Sequence, residues 1–292
     1  MSLGGAETNV AIGLARLGHS LRWAGRLGDD EIGQFALRTL RAEGVLTDAI
    51  LVDTVRPTGV MILEAHGTGV TRAAYYRSGS AGSALCSEDL SPALDAGCRI
   101  LHITGITPAL SASAADATLA AVEQVRAAGA LVSLDVNFRS KLWTEDRARA
   151  MMSRLAQEAD VVIASEDELR LVCPAGLRED GAVLHLGELG VREVVVKRGQ
   201  DGASAWSFAT GGAVSVEHRT ALDVPVIDTV GAGDAFSAGY LSATLDGLPQ
   251  GQRLERGVAL GAFAVADGTD WEGLPTRKDL ALIGHPSGTT IR

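Results

Sequence analysis

The chain has few cysteines, few aromatic residues and no long apolar run. Its three cysteines, Cys86, Cys98 and Cys173, show neither a CxxC pair nor the spacing of a metal site. A small and odd number of cysteines is typical of proteins from a reducing compartment. We therefore expect a cytoplasmic protein without a disulfide framework. The six scattered histidines include no HExxH pair, which argues against zinc, and we assign no protein ligand to any metal.

Other signatures are missing as well. No apolar run approaches the roughly 18 residues of a membrane helix, and the first residues do not resemble a basic, apolar leader. Neither a GxxxxGK[ST] loop nor a complete dinucleotide fingerprint is present. The formal net charge of −10 argues against nucleic acid or an anionic membrane as a partner. An acidic protein can still bind a small anion through local arginines.

What is present is typical of a globular α/β protein, with 46% hydrophobic and 21% charged residues. After Glu88, strand-like and helix-like segments alternate, which predicts a mostly parallel sheet with helices on both faces. A β-rich insert at about 45–85 predicts a small lid on a single domain of residues 1–292. The segments that we expect to be strands are His19–Gly25, Arg99–Ile103, Leu131–Asp135, Val161–Ala164 and Glu193–Lys197. The segments that we expect to be helices are Glu7–Gly18, Glu31–Glu43, Ser111–Ala128, Glu145–Glu158, Glu166–Val172 and Gly181–Leu189.

The run Asp228–Phe236, which reads DTVGAGDAF, is the most informative segment. It predicts a tight glycine turn followed by a helix, whose free amides would face an anion above Gly231 and Gly233. Asp234 would lie beside that anion, where it could take a proton from a hydroxyl that attacks phosphorus. The alternative is an ordinary glycine loop with Asp234 as a helix cap. Asp228 either shapes the turn or assists a cation.

This run resembles the C-terminal signature of the ribokinase-like (PfkB) carbohydrate kinases. The N-terminal run GGAETNVA at 4–11, with LARLG at 14–18, resembles the other signature of that family. The segments YYRSGSAGSAL, GITPAL and SLDVNFR at 75–85, 105–110 and 133–139 are similar to those of 2-keto-3-deoxygluconate kinases. The two signatures lie about as far apart as in the family, which makes them more specific together than either is alone. The resemblance runs from Gly4 to about Leu282.

The resemblance implies a fold, a reaction and a set of site residues. It implies a three-layer α/β/α body, an ATP-dependent sugar kinase that uses Mg²⁺, and a homo-oligomer that forms through the lid; a need for a monovalent cation such as K⁺ stays open. Asp234 would be the general base, with the amides of Gly231, Ala232 and Gly233 around the phosphoryl group. The remaining implied contacts are Gly5, Asn9, Tyr75, Arg77, Ile106, Arg139 and Asp270 for the sugar, and Lys197, Gly199, Gly202, Gly231, Gly233 and Ala262 for the nucleotide.

Three departures from the family are visible. A segment with the first strand of the main sheet precedes the double glycine in the family and is absent here, which predicts an exposed sheet edge. Met61 stands where the 2-keto-3-deoxygluconate kinases tend to carry a tyrosine. The family motif Asn-x-x-Glu, which orders magnesium and phosphate, reads Ser165 to Glu168 in this chain.

Arg77 and Arg139 decide between the possible substrates. The planar fork of arginine grips a carboxylate with two hydrogen bonds, so two arginines favour an acidic sugar over a neutral one. We therefore expect 2-keto-3-deoxygluconate, phosphorylated at its C6 hydroxyl. The alternatives are a fructokinase, a ribokinase or another kinase of neutral sugars, and a non-catalytic sugar-binding protein. A dehydrogenase is disfavoured because no glycine fingerprint follows an early strand.

Overall fold

The computed structural model describes residues 1–65, 71–209 and 212–282. The helices are α1 Ala6–Arg16, α2 Glu31–Ala42, α3 Ser87–Asp95, α4 Thr107–Leu110, α5 Ala112–Ala127, α6 Glu145–Ala156, α7 Glu166–Leu169, α8 Glu179–Glu188, α9 Ala232–Leu245 and α10 Gln250–Val265. The strands are β1 Gly25–Gly28, β2 Ile50–Asp53, β3 Val60–Ala65, β4 Thr71–Tyr76, β5 Ile100–Thr104, β6 Leu131–Asp135, β7 Val161–Ser165, β8 Glu193–Lys197, β9 Ala203–Phe208 and β10 Val214–Arg219.

Six strands form the central sheet in the order β10-β9-β8-β7-β6-β5. Strands β5 to β8 run parallel, and β9 and β10 add an antiparallel hairpin at one edge. The strands are apolar on both faces, as buried parallel strands are. Val162 and Val194 pack with α6 and α8 on one face, while Ile163 and Val195 pack with α9 on the other. The three-layer α/β/α architecture is thereby confirmed.

The β-rich insert divides between two small sheets. Strands β3 and β4 form an antiparallel pair in which Met61 lies opposite Tyr75. Strand β2 instead pairs in parallel with β1. The glycines at 67 and 69, between the second and third predicted runs of the insert, lie outside the described residues. The interpretation of β3 and β4 as a lid, and of residues 1–292 as one domain, stays a prediction.

Two of the predicted elements differ in the structure. The strand predicted at His19–Gly25 is wrong, because this segment makes only an isolated bridge from Arg22 to Leu46 and regular pairing begins at Gly25. The helix predicted at Glu166–Val172 ends at Leu169. Beyond it the chain makes tight turns, with the Val172 amide bonded to the Leu169 carbonyl, and Pro174 disfavours helix at the residue before it.

An apolar groove of about 520 Å³ runs along the free edge of β5. Leu21 and Trp23 line one side of the groove, and Ile100 and His102 line the other. Within the described residues, β5 pairs only with β6, so its outer edge faces this groove. No residue of the glycine turn at 228–234 lines the groove. None of the described helices combines the length and the apolar character that crossing a membrane requires.

Candidate active site

The glycine turn has the geometry that the sequence predicts. Gly231 precedes α9 in the left-handed region, with φ 77°. A Cβ at this position would lie 2.3 Å from the carbonyl oxygen of Asp270, so only glycine fits. The first amides of a helix have no intrahelical acceptor, so the amides of Gly233 and Asp234 point out of the N-terminus. The Ala232 amide makes a long 3.3 Å bond to the Thr229 carbonyl and is therefore partly engaged.

Asp234 lies in the first turn of α9 and is 7% exposed. Its two carboxylate oxygens each accept one side-chain amide, Oδ2 from Asn9 at 2.8 Å and Oδ1 from Asn137 at 3.0 Å. Burial raises the pKa of Asp234 to about 6, against the opposing hydrogen bond from Asn9. A carboxylate that is ionised at neutral pH, yet basic enough to accept a proton, is suited to general-base chemistry.

A buried ion pair lies under the glycine turn. Nζ of Lys197 is 2.8 Å and 3.0 Å from the two carboxylate oxygens of Asp135, and the Ser237 hydroxyl donates to Asp135 at 2.8 Å. Burial disfavours the ammonium, but the charges of Asp135, Glu168 and Asp234 together outweigh it, so the pKa of Lys197 is raised. The same Nζ lies 3.3 Å from the Cβ position of Gly233. The predicted nucleotide residue Lys197 thus places a positive charge beneath the turn, held by Asp135.

The predicted sugar side contains a cluster of cations. The guanidinium of Arg77 lies 4.2 Å from the ring centre of Tyr75, and its Nε and one terminal nitrogen are buried without a partner. Burial lowers the pKa of Arg77, and the positive charge of Arg139 lowers it further. Arg139 is exposed and donates to the Phe138 carbonyl. Lys141, which the sequence analysis missed, lies 5.8 Å from the Tyr75 ring centre.

The other predicted sugar residues lie around the start of α1. Gly5 is the N-cap residue of this helix, and its backbone carbonyl accepts a hydrogen bond from the backbone amide of Asn9. Thr104 and Thr107, on either side of Ile106, both donate to Glu7 at 2.7 Å, which fixes the Ile106 segment against α1. Asp270 is close to the turn, because its backbone adjoins Gly231 and its carboxylate adjoins Gly4.

The predicted nucleotide residues lie on two elements beyond the turn. Gly199 and Gly202 form the tight connection between β8 and β9, where a Cβ on Gly202 would lie 1.9 Å from the Arg219 carbonyl oxygen. Ala262 is buried on α10, next to Gly261, whose Cβ position lies 3.7 Å from the Ala232 carbonyl oxygen. The structure thus brings α10 to the turn.

Two carboxylates have structural partners. Glu168 accepts the Phe138 amide at 2.7 Å with one oxygen and the Ser165 amide at 2.9 Å with the other. Asp228 accepts the Val230 amide at 3.0 Å, which is a turn-forming contact. Among the described residues, no three metal-binding side chains cluster in a way that could hold an ion by themselves.

Chemically, this arrangement can bind an anion at the α9 amides and remove a proton from a hydroxyl that approaches Asp234. Moving a phosphoryl group onto an alcohol requires both. A profile of the pfkB family carbohydrate kinases matches residues 1–277. The chain belongs to this family and is a sugar kinase.

The relatives and solved structures agree with this assignment. The chain is 37% identical to a 2-dehydro-3-deoxygluconokinase of Bacillus subtilis, covering 96% of this chain and 85% of the relative. It is 36% identical to a fructokinase of Klebsiella pneumoniae, covering 82% and 76%. A candidate ribokinase II of E. coli in complex with ATP and Mg²⁺ superposes with a TM-score of 0.87 at 26% identity, covering 96% of this chain and 87% of that one.

Proposed function

We propose that the chain transfers the γ-phosphoryl group of ATP to the C6 hydroxyl of 2-keto-3-deoxygluconate. The observation that carries the substrate assignment is the guanidinium of Arg77, buried in part, without a hydrogen-bond partner, and near a second cation, Arg139. A partly buried guanidinium without hydrogen-bond acceptors, close to a second positive charge, favours the binding of an anion. The carboxylate of a sugar acid would supply that anion, and the 2-dehydro-3-deoxygluconokinase relative supports this choice.

The catalytic steps would follow from the geometry at α9. The amides of Gly233 and Asp234 would bind the oxygens of the transferring phosphoryl group, with Lys197 adding positive charge from below. The Asp234 carboxylate would accept the C6 hydroxyl proton as the oxygen attacks phosphorus. Gly199, Gly202 and Ala262 would border the nucleotide.

Mg²⁺ would be bound mainly by the nucleotide phosphates, whose charge it would neutralise. This fits the chain, since both oxygens of Glu168 already accept backbone amides and the described residues offer no carboxylate cluster. A monovalent cation such as K⁺ and a cytoplasmic location stay predictions.

We also propose that two copies pair through β3 and β4. Ile62, Leu63 and Tyr76 on this sheet are 44–65% exposed. Exposed apolar side chains beside open strand edges favour pairing with a second sheet. Light scattering should then report a dimer or larger species, which Ile62→Lys with Leu63→Lys converts to monomer; a monomeric wild-type protein would contradict this part of the proposal.

A coupled ADP-release assay with Mg²⁺-ATP tests the proposed reaction. The substrates are 2-keto-3-deoxygluconate, fructose, ribose and adenosine at matched concentrations. We expect turnover with the keto-deoxy acid at a kcat/KM at least ten times that of any neutral sugar. Equal or faster turnover with fructose or ribose would keep the family and overturn the substrate. No turnover with any sugar would favour a non-catalytic sugar-binding protein.

A kinase for a neutral sugar is the second candidate, and Met61 is the observation that favours it. Met61 lies opposite Tyr75 in the β3–β4 register and brings no hydroxyl to that side of the site. The Klebsiella pneumoniae fructokinase also matches this chain. Arg139→Ala distinguishes the candidates, because a fructose-specific enzyme would keep its KM for the sugar after this change.

A further inference from the structure

Both asparagines of the chain meet at one carboxylate. The 292-residue sequence contains only Asn9 and Asn137. Their side-chain amides donate to opposite oxygens of Asp234, although 225 and 97 residues separate them from it along the chain. Asn9 comes from α1, and Asn137 comes from the loop after β6. The carboxylate is thus held from both sides by two separate elements.

The backbone at Asn137 is strained and held in place. Its φ is 38°, and within the described residues no other residue except glycine has a positive φ. Asparagine tolerates this left-handed region better than most residues, but at a cost in free energy. The neighbouring amides are fixed, since Val136 donates to the Ile163 carbonyl at 2.9 Å and Phe138 donates to Glu168. Such strain at a site residue is a reason to look for a function.

The second polar atom of each asparagine has no partner. Asn9 is 3% exposed and Asn137 is 4% exposed, and Oδ1 of both is buried without a hydrogen bond from any residue that the structure describes. The donor role of Nδ2 toward Asp234 fixes the amide orientation, so Oδ1 cannot turn to Asp234. A buried carbonyl oxygen without a donor is unfavourable. A ligand hydroxyl next to Asp234 would satisfy it.

We propose that Asn137 is a positioning residue: with Asn9 it holds the Asp234 carboxylate in place, and its Oδ1 accepts a hydroxyl adjacent to the one that is phosphorylated. This inference rests on the proposed function for its substrate half only. The ligand chemistry is a polyol with neighbouring hydroxyls. Three other charged groups act on Asp234, namely Asp135 from β6, Lys197 from β8 and Arg139, and they stay in place in the variants below.

The test uses Asn137→Gly, which keeps the left-handed backbone without strain, and Asn137→Asp, which keeps the shape of the side chain. The matched control is Ser133→Ala on β6, which removes a buried hydrogen bond to His102 and touches neither Asp234 nor the turn. Two readouts are needed: the ¹³C carboxyl shift of Asp234 as a function of pH, assigned with Asp234→Asn, and the pH dependence of kcat and KM.

Removing a donor to the charged carboxylate raises its pKa, and a second carboxylate raises it more. We expect the Asp234 titration midpoint and the acid limb of kcat to move to higher pH, by about half a unit in Asn137→Gly and by about one unit or more in Asn137→Asp. The sugar KM of Asn137→Gly should rise about 3- to 10-fold, the loss of one hydrogen bond, with the ATP KM unchanged. Ser133→Ala should lower stability and shift neither quantity.

The inference would be overturned if both Asn137 variants kept the Asp234 titration midpoint and the sugar KM of the wild-type protein. Asn137 would then be a structural residue. If the glycine variant does not fold, the aspartate variant decides, because it keeps both the shape and the tolerance of positive φ. The carboxyl titration needs no turnover. A shifted midpoint in a protein that phosphorylates no sugar would therefore support the positioning role while the proposed function fails.

Discussion

The two ends of the candidate site differ in how complete they are without a ligand. At the α9 end, both oxygens of Asp234 accept amide donors, and Lys197 is paired with Asp135. At the β4 end, Arg77 is packed on Tyr75 but has buried nitrogens without partners. The charged groups of the α9 end are assembled in the free protein, whereas the guanidinium at the β4 end requires an anion to satisfy it.

This difference separates catalysis from substrate choice. Preorganised groups stabilise charge in the transition state without rearranging during the reaction, so the assembled α9 end is suited to chemistry shared by many sugars. An unpaired guanidinium contributes only when a suitable ligand arrives, so the β4 end is suited to selection. Replacing a charged group at the α9 end should therefore change kcat, and replacing one at the β4 end should change the sugar KM.

The largest expected effect comes from Asp234→Asn. Loss of the general base should lower kcat by about 10² to 10⁴, with the sugar KM within about 3-fold of wild type. Steady-state ADP release measures both quantities. A kcat within about 10-fold of wild type would mean that another group takes the proton and that the assembled end has been misassigned.

Gly231→Ala should disrupt the assembled end through its backbone. The added Cβ meets the Asp270 carbonyl oxygen at 2.3 Å and also forces alanine into a φ of 77°. Gly247→Ala is the matched control, since its φ is 73° and nothing lies within 4 Å of its Cβ. Urea unfolding should give a loss of about 1 kcal/mol for Gly247→Ala from the left-handed backbone, and about 3 kcal/mol for Gly231→Ala. Equal losses would show that the turn has room to adjust.

Arg77→Ala tests the β4 end, where we expect a change in the sugar KM and not in kcat. Removing charge-assisted hydrogen bonds to a carboxylate should raise the KM for 2-keto-3-deoxygluconate about 10- to 100-fold, with kcat and the ATP KM little changed. Arg22→Ala is the control, because Arg22 is paired with Asp48 away from this cluster. An equal rise in the KM values of sugar and ATP would contradict a role in sugar selection.

The last expected effect is on stability and depends on pH. The pKa of Asp234 is about 6 in the folded protein against an ordinary value of 3.8, so folding is favoured by its protonated form. The contribution is present below pH 4 and is lost as pH rises through 6, so the buried charge destabilises the protein at pH 7. Asp234→Asn should therefore be more stable by about 3 kcal/mol at pH 7 and equal to wild type at pH 3.5. A variant less stable at pH 7 would mean that the two asparagines compensate the charge fully.

The assembled end was largely predictable because its signals are local. The glycine turn and α9 follow from nine consecutive residues, and alternation along the chain predicted the parallel sheet. Asn137 could have been found, since it follows the carboxyl end of β6, where ligands gather in parallel sheets. Contacts across the sheet could not be predicted from the sequence. Lys197 meets Asp135 because β6, β7 and β8 are neighbours in that order, and this order is a property of the tertiary structure.

The predicted strand at His19–Gly25 failed for a related reason. Its pattern is strand-like, but pairing depends on which neighbour lies alongside, and in the structure regular pairing with β2 begins only at Gly25. The sequence predicted two members of the cation cluster, Arg77 and Arg139, from their motifs and their charge. Lys141 joins them through its position over Tyr75, which only the tertiary structure provides.

Calorimetric titration of 2-keto-3-deoxygluconate, without nucleotide, into Asp234→Asn and Arg77→Ala tests the division of the site most directly. The account predicts a Kd for Asp234→Asn within about 3-fold of wild type, and a Kd for Arg77→Ala at least about 10-fold weaker. If Asp234→Asn weakens binding as much as Arg77→Ala does, the two ends do not act separately and the account is contradicted.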